Sequence, residues 1–345
     1  MVRIGFLGAG LIAHFHAFGL SVAAGEDSPG ADHALAGVYD PDPKRCREFA
    51  DGWGATVCGS EAEVLDSCDA VYVCTWTSEH ARLVDAACER GLAVFCEKPL
   101  AFDAAGAAVM ADRVREAGVV NQVGLVLRSS PAFALLGALA AEPEAGRVMS
   151  VVFRDDQYIP VQGMYASAWR GDRHRAGSGT LLEHAIHDVD ILEHCFGPVA
   201  SVSAQSANFH GLDGIEDAVA TSFRMASGAV GVHTTIWHDV LERPSLRRVE
   251  VFCESRHIVL ENDHLGPVSW TTSGADPVVV EGDELMAAAA IRGIDPVNAD
   301  GAFVTAVAAG RQGSPTFEDA LRAHRLVDAI YRSASDDGTR VPVGG

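Results

Sequence analysis

The sequence predicts an α/β protein in two parts: an N-terminal Rossmann doubly wound parallel sheet, then a C-terminal α/β domain with a large, mostly antiparallel open sheet. Three observations carry that expectation. The chain has 345 residues, more than one compact core usually holds. A glycine turn, Gly8-Ala9-Gly10, lies between a strand-like and a helix-like segment close to the start. From Val148 onward, segments of strand composition follow one another with few helices between them, whereas earlier the two types alternate. The expected division is residues 1–125 for dinucleotide binding and residues 126–345 for substrate binding and oligomerisation.

The elements follow in order. Residues 2–7, Val-Arg-Ile-Gly-Phe-Leu, read as a short buried strand, and the turn after it opens a helix to about Ala24. Further strands are expected at residues 34–39, 70–74, 92–96 and 121–127, with helices over 79–90 and 103–117. Asp103 is placed to cap the second of these helices and Gly118 to end it. In the second part the strand candidates are residues 148–153, 200–207, 218–225, 229–237, 248–252, 257–260 and 278–281. Two late helices are expected, at 302–309 and from Thr316-Phe317-Glu318-Asp319 to about Ser333.

Composition narrows the function classes. The 26 Lys and Arg against 47 Asp and Glu give a net charge of −21, which argues against nucleic acid or an anionic membrane as partner. Any anionic ligand must be held by local features. With 48% hydrophobic residues and no run of apolar residues long enough to span a bilayer, the chain is expected to be a soluble globular protein. The eight cysteines form no C-x-x-C pair and no clustered Cys/His spacing, so reduced thiols in the cytoplasm are expected. Arg3, the apolar run 4–13 and Val22-Ala23-Ala24 imitate a secretory signal, but His14 and His16 interrupt the run, and strand, turn and helix explain it better.

Gly8-x-Gly10-x-x-Ala13 has the spacing of a dinucleotide fingerprint. Gly8 permits the tight turn, Gly10 lets backbone approach a pyrophosphate, and Ala13 lets helix pack on strand. The helix opening at Leu11-Ile12 can hold phosphates through its amides and dipole despite the negative net charge. Asp40 ends the second strand, where a carboxylate accepts hydrogen bonds from ribose hydroxyls and repels a 2′-phosphate, so NAD is favoured. The long spacing from Gly8 to Asp40 is assigned to an insertion at residues 26–32. Lys44 and Arg45 keep NADP open, since a basic side chain can neutralise that phosphate.

The strand ending at Cys96 runs into Glu97-Lys98-Pro99, and open α/β sheets bind ligands at the carboxyl ends of their strands. Proline restricts the backbone of Lys98, which suits an ammonium that must meet a substrate oxygen; a solvated lysine is the plainer alternative. The other half of the site is Gly177-Ser178-Gly179-Thr180-Leu181-Leu182-Glu183-His184-Ala185-Ile186-His187-Asp188-Val189-Asp190. If Thr180 onward is helical, Glu183, His187 and Asp190 share one face. A carboxylate one turn before a histidine can orient its ring and support its protonated form, as a general base near neutral pH needs. An amphipathic surface helix fits the same spacing. A metal set of His184, His187, Asp188 and Asp190 is disfavoured because H-x-x-H places its histidines less squarely together and no cysteine joins them.

Together these residues resemble the Gfo/Idh/MocA oxidoreductases, the family of inositol dehydrogenases and glucose-fructose oxidoreductase-like enzymes. The resemblance is carried by the glycine turn, by Thr75-Trp76-Thr77-Ser78-Glu79-His80 where the family commonly has T-P-N-x-x-H, by Glu97-Lys98-Pro99, by Arg128 with Pro131, and by residues 177–190. It implies a Rossmann domain followed by an α/β domain whose open sheet often serves oligomer contacts, here a homodimer or homotetramer. It also implies that Lys98 and His187 act at the substrate and that the peptide before Pro99 is cis. Thr75, Trp76, His80, Glu97, Lys98 and Arg128 would then join Gly8, Gly10, Leu11, Ile12, Ala13 and Asp40 around the cofactor. Three departures stand out: Glu183 is about 1.5 Å longer than the family's usual Asp, Ser178 and Ala185 replace glycines, and Trp76 stands where Pro is usual.

The expected reaction is hydride transfer between NAD (or NADP) and a secondary hydroxyl of a sugar, cyclitol or related polyol. His187 takes the hydroxyl proton, Lys98 steadies the developing oxyanion, and Glu183 orients His187 or a neighbouring hydroxyl. Trp169 and Arg170 are the preferred lining pair, ahead of Arg128, Tyr158 and His238. Two alternatives stay open: a glycosidase-type enzyme in which NAD oxidises, eliminates and re-reduces a sugar, and a regulatory NAD-binding protein without turnover.

Overall fold

A computed structural model describes residues 1–24, 32–243, 245–294 and 298–343. The insertion expected at residues 26–32 lies outside them, apart from Asp32. The chain divides into two compact units, Met1–Leu125 with Val297–Leu321, and Val126–Pro296 with Arg322–Gly345. The single boundary expected from the sequence therefore needs correction: a late segment packs with the first unit, because Phe303 and Val304 belong to that unit's core.

The first unit runs β1 (Val2–Leu7), α1 (Leu11–Ala23), β2 (His33–Tyr39), α2 (Pro43–Trp53), β3 (Thr56–Val57), α3 (Glu61–Ser67), β4 (Ala70–Val73), α4 (Thr77–Glu89), β5 (Ala93–Cys96), α5 (Ala104–Ala117) and β6 (Asn121–Val123). Its sheet has the order β3-β2-β1-β4-β5-β6, with parallel pairing throughout the described residues. This is the doubly wound order, in which the direction of winding reverses between β1 and β4 and opens a crevice at the strands' carboxyl ends. Asp42, Ser60 and Asp103 cap α2, α3 and α5 through their side chains, and Gly54 and Gly118 end α2 and α5 in the left-handed conformation.

One face of that sheet is an aromatic ladder. Phe6, Tyr72 and Phe95 are register partners on β1, β4 and β5, and their rings stack at 4.9 and 4.6 Å. Phe303, from the returning helix Ala299–Ala308, meets Tyr72 and Phe95 edge-on at 5.5 Å. All four side chains are fully buried.

The second unit holds α6 (Pro131–Ala141), β7 (Val148–Tyr158), α7 (Arg173–Ala176), α8 (Ile186–Phe196), β8 (Val199–Ala207), β9 (Ala218–Met225), β10 (Val230–His238), β11 (Leu246–Cys253), β12 (Arg256–Leu260), β13 (Val268–Thr272), β14 (Val278–Val280) and α9 (Gly282–Ile291). After α10, the returning helix, come α11 (Phe317–Ser335) and β15 (Val341–Pro342). The sheet order is β14-β13-β12-β11-β7-β10-β9-β8-β15, and among the described residues only β10 with β7 pairs in parallel. Burial alternates strictly along β9, as one covered and one open face require. The open face carries Val152, Val230, Val232 and Phe252, 37–45% exposed.

Phe303→Ala should cost about 3–5 kcal/mol of stability, the usual price for emptying a fully packed aromatic site. Urea unfolding of the full chain measures it. A loss below about 1 kcal/mol would show that the late helix is not part of the first unit's core.

Candidate active site

At Gly8 the backbone has φ +92°, and a Cβ there would lie 2.4 Å from the Cys74 carbonyl oxygen, so only glycine fits between β1 and the end of β4. At Gly10 a Cβ would meet nothing within 4 Å. Gly10 is the N-cap of α1 and no side chain caps that helix, so its amide end is open to a ligand. Ala13 is fully buried in the core cluster, where a larger side chain would push α1 off the sheet. Asp40 stands beside the turn, accepting the Ala9 amide at 2.9 Å and the Asp42 amide at 2.9 Å. Lys44 and Arg45 approach acids of their own helix and its cap, Glu48 at 3.6 Å and Asp42 at 3.9 Å. An open glycine, an uncapped helix and an adjacent carboxylate fit a dinucleotide whose ribose carries no phosphate.

At the end of β5, Lys98-Pro99 is a cis peptide and the loop is clamped from two sides. Glu97 is buried; its Oε1 lies 2.8 Å from His16 Nε2 and its Oε2 accepts the Lys98 amide at 3.2 Å. His16 Nδ1 lies 2.8 Å from Asp300 Oδ1 on α10. Burial opposes a charge on this ring, but the two carboxylates outweigh it and push its pKa up to about 10. On the other side, His80 approaches the Pro99 carbonyl at 2.9 Å and the Thr75 carbonyl at 3.3 Å. Burial pushes the pKa of His80 below its ordinary value. Glu97 and His80, expected at the cofactor, thus make bonds that frame Lys98; Thr75 and Trp76 are half-buried at the start of α4.

In the second unit the continuous helix expected from Thr180 is not formed. Thr180–His184 is a π-helical turn, closed by the Ala185 amide on the Thr180 carbonyl at 2.8 Å, and α8 begins at Ile186. The cause is Glu216, whose carboxylate accepts Ser178 Oγ and the Gly179 amide at 2.8 Å and the Leu181 amide and Tyr331 Oη at 2.9 Å. A Cβ at Gly179 would lie 1.8 Å from the Glu216 carbonyl oxygen, so glycine is obligatory there. The wide turn breaks the i, i+4 spacing assumed for Glu183 and His187.

Arg170 Nε donates to buried Glu183 at 2.7 Å; its guanidinium also reaches Ser167 Oγ at 3.2 Å and lies 5.0 Å from the Trp169 ring and 6.0 Å from the Tyr165 ring. Trp169, Arg170 and Glu183 are therefore brought together, with the Tyr158 ring tilted against Tyr165 at 5.4 Å. Arg128, expected at the cofactor, lies in the second unit and binds Asp190 through two bonds of 2.8 and 2.6 Å. His238 lies 3.6 Å from Asp156. His187 is half-buried in the first turn of α8.

Beneath this segment lies a buried charge network. Asp188 accepts Arg247 Nε at 2.6 Å and lies 3.1 Å from His233 Nε2, and His184 lies 3.0 Å from Asp155. Burial and the neighbouring Asp155 push the Asp188 pKa up. Burial opposes ionisation of Asp155 too, yet Arg247 and His184 hold it below the usual carboxylate range. His184, Asp188 and Asp190 are thus engaged by Asp155, Arg247 and Arg128. Sequence reasoning missed Asp300, Glu216, Tyr331 and Arg247, whose partners are distant in sequence. His16 did leave a signal, as a polar residue in an apolar run.

Residues 2–125 match the family model described as an oxidoreductase family with an NAD-binding Rossmann fold, and residues 133–259 match the GFO/IDH/MocA C-terminal domain. The chain is 31% identical over 235 residues, 67% of its length and 68% of the relative's, to a 1,5-anhydro-D-fructose reductase of Ensifer adhaerens. It is 27% identical over 349 aligned positions, 97% of each chain, to an inositol 2-dehydrogenase of Rhizobium meliloti strain 1021. A solved levoglucosan dehydrogenase, in complex with NADH and levoglucosan, has the same fold, with a TM-score of 0.88 over 99% of both chains at 23% identity.

Because the folded-state pKa of His16, about 10, lies above its ordinary 6.5, its bound proton stabilises the fold fully below pH 6.5 and progressively less up to pH 10. Across that window the unfolding free energy should fall more steeply for the parent than for His16→Gln. Parallel curves in urea titrations would show that His16 is uncharged in the folded protein.

Proposed function

The chain belongs to the GFO/IDH/MocA oxidoreductase family, and from that premise we propose that it transfers a hydride between NAD and a secondary hydroxyl of a sugar, cyclitol or related polyol. The reading rests above all on the first unit's sheet edge, where the open turn at Gly10, the Asp40 carboxylate and the clamped Lys98 all follow carboxyl ends of strands.

Gly8, Gly10, Leu11, Ile12, Ala13 and Asp40 hold the cofactor, with Thr75 and Trp76 beside it. NAD, when bound, supplies the hydride acceptor for oxidation of the alcohol. Lys98 donates to the reacting oxygen and stabilises the negative charge that grows there. His187 takes the hydroxyl proton as general base. Arg170, fixed against Glu183 and flanked by Trp169 and Tyr165, meets the neighbouring hydroxyls. Asp40, together with the pairing of Lys44 and Arg45 to acids of their own segment, favours NAD over NADP. The relatives' names support cyclic polyols as the substrate class.

In this reading the second unit carries the substrate contacts, and its open sheet face is the contact of a homodimer or homotetramer. All eight cysteines are free thiols, which supports a cytoplasmic protein. No helix among the described residues is long and apolar enough to cross a membrane.

A screen of sugars, cyclitols and sugar acids with NAD and NADP, read by absorbance of the reduced nicotinamide, should find NAD-dependent turnover. On the substrate so found, Lys98→Ala and His187→Ala should each lower kcat roughly a hundredfold or more while NADH affinity is kept. Near-parent turnover in either variant removes that residue from the chemistry. Asp40→Ser should raise kcat/KM with NADP relative to NAD; an unchanged ratio would defeat the role given to Asp40.

A further inference from the structure

Two hydrogen-bond donors are needed where His16 stands. Its ring nitrogens each face a carboxylate oxygen at 2.8 Å, Glu97 from the end of β5 and Asp300 from α10, and all three residues are at most 7% exposed. A carboxylate only accepts, so both contacts are satisfied only by a ring with two N–H groups. The ring packs edge-on to Phe95 at 4.7 Å and beside Tyr72 at 5.4 Å. Of the other titratable groups packed around the ring, burial and Asp300 push the Tyr72 phenol pKa up, burial and Glu97 do the same for Cys74, and burial pushes the His80 pKa down, while the Lys98 ammonium belongs to the residue that follows Glu97 and gives it its amide. His16 is therefore the cation that offsets two buried carboxylates.

A clamp for α10 would need only the Asp300 contact. The second bond, to Glu97, reaches the residue whose other oxygen accepts the Lys98 amide. We propose that His16 is a positioning residue for Lys98: it holds the Glu97 carboxylate turned into the core, where it anchors the Lys98 backbone and is kept from taking the Lys98 ammonium away from the substrate. Without His16, Glu97 would be a buried carboxylate one residue from an ammonium, and pairing with it is the nearest way to recover its lost partner. The inference rests on Lys98 acting at the substrate.

The chain contains two lysines, Lys44 and Lys98, so amine chemistry reads the second against the first. Lys44 is well exposed, with a side chain 75% accessible, and serves as internal standard. The experiment is competitive labelling of the folded full-length protein with acetic anhydride near neutral pH, with the two lysine peptides compared by mass spectrometry. Only unprotonated amine reacts, so capture of Lys98 by Glu97 slows its labelling. In His16→Gln the Lys98 to Lys44 ratio should fall roughly threefold or more, and adding Glu97→Gln, which removes the competing charge, should restore it. A folded His16→Gln with an unchanged ratio overturns the inference, as does a double variant in which the ratio stays low. If His16→Gln does not fold, the double variant is expected to fold and label like the parent, and its failure to fold would make His16 a clamp of the whole unit instead. Lys98→Met with near-parent turnover would sink the assignment of Lys98 while leaving the labelling result intact.

Discussion

A buried cation between two carboxylates ties residues 16, 97 and 300 together, and the first unit is organised around that knot. Taking three charged groups out of water is costly, and such a cluster survives only where geometry is good and every donor and acceptor is used. The geometry is good, with two contacts of 2.8 Å, and the remaining Glu97 oxygen accepts the Lys98 amide. The aromatic ladder surrounding it supplies the apolar burial, and Phe303 arrives on the same helix that brings Asp300. Packing and charge thus select the same position for a segment that packs on the sheet just over two hundred residues after β5.

The second unit reaches order by a different route. Its segment from Ser178 to Asp190 is fixed by side chains that satisfy backbone or bind charge: Glu216 at the turn, Arg247 and His233 on Asp188, Arg128 on Asp190. Such partners are directional, so they specify one backbone path where apolar contacts alone would tolerate several. The π-turn is the visible result. Four donors converge on one carboxylate, and the chain widens by a residue to present them.

What the sequence disclosed follows from this difference. The glycine turn, Asp40 and the strand running into Glu97-Lys98-Pro99 were legible because each is a local pattern whose meaning depends on immediate neighbours. Alternation of strand and helix likewise disclosed the class of the first unit, and strand after strand with few helices between them that of the second. The return of residues 298–321 to the first unit was not legible, since it depends on contacts of long sequence separation. Helix α6 was missed because it is apolar nearly all round and shows no periodic stripe. The shared face of Glu183 and His187 assumed a regular helix, and the residue that spoils the regularity, Glu216, lies about thirty positions away. Arg170 and Glu183 were both named as site residues, but their bond to one another needed coordinates.

The order of the larger sheet has one more consequence. Its outermost strands, β14 and β15, are three and two residues long, so the sheet ends in stubs with little unpaired backbone to offer. Lateral growth by adding a neighbour's strand, the route to fibrils and runaway polymers, is thereby nearly closed. The open face can then stay uncovered during folding without templating aggregation along its rim.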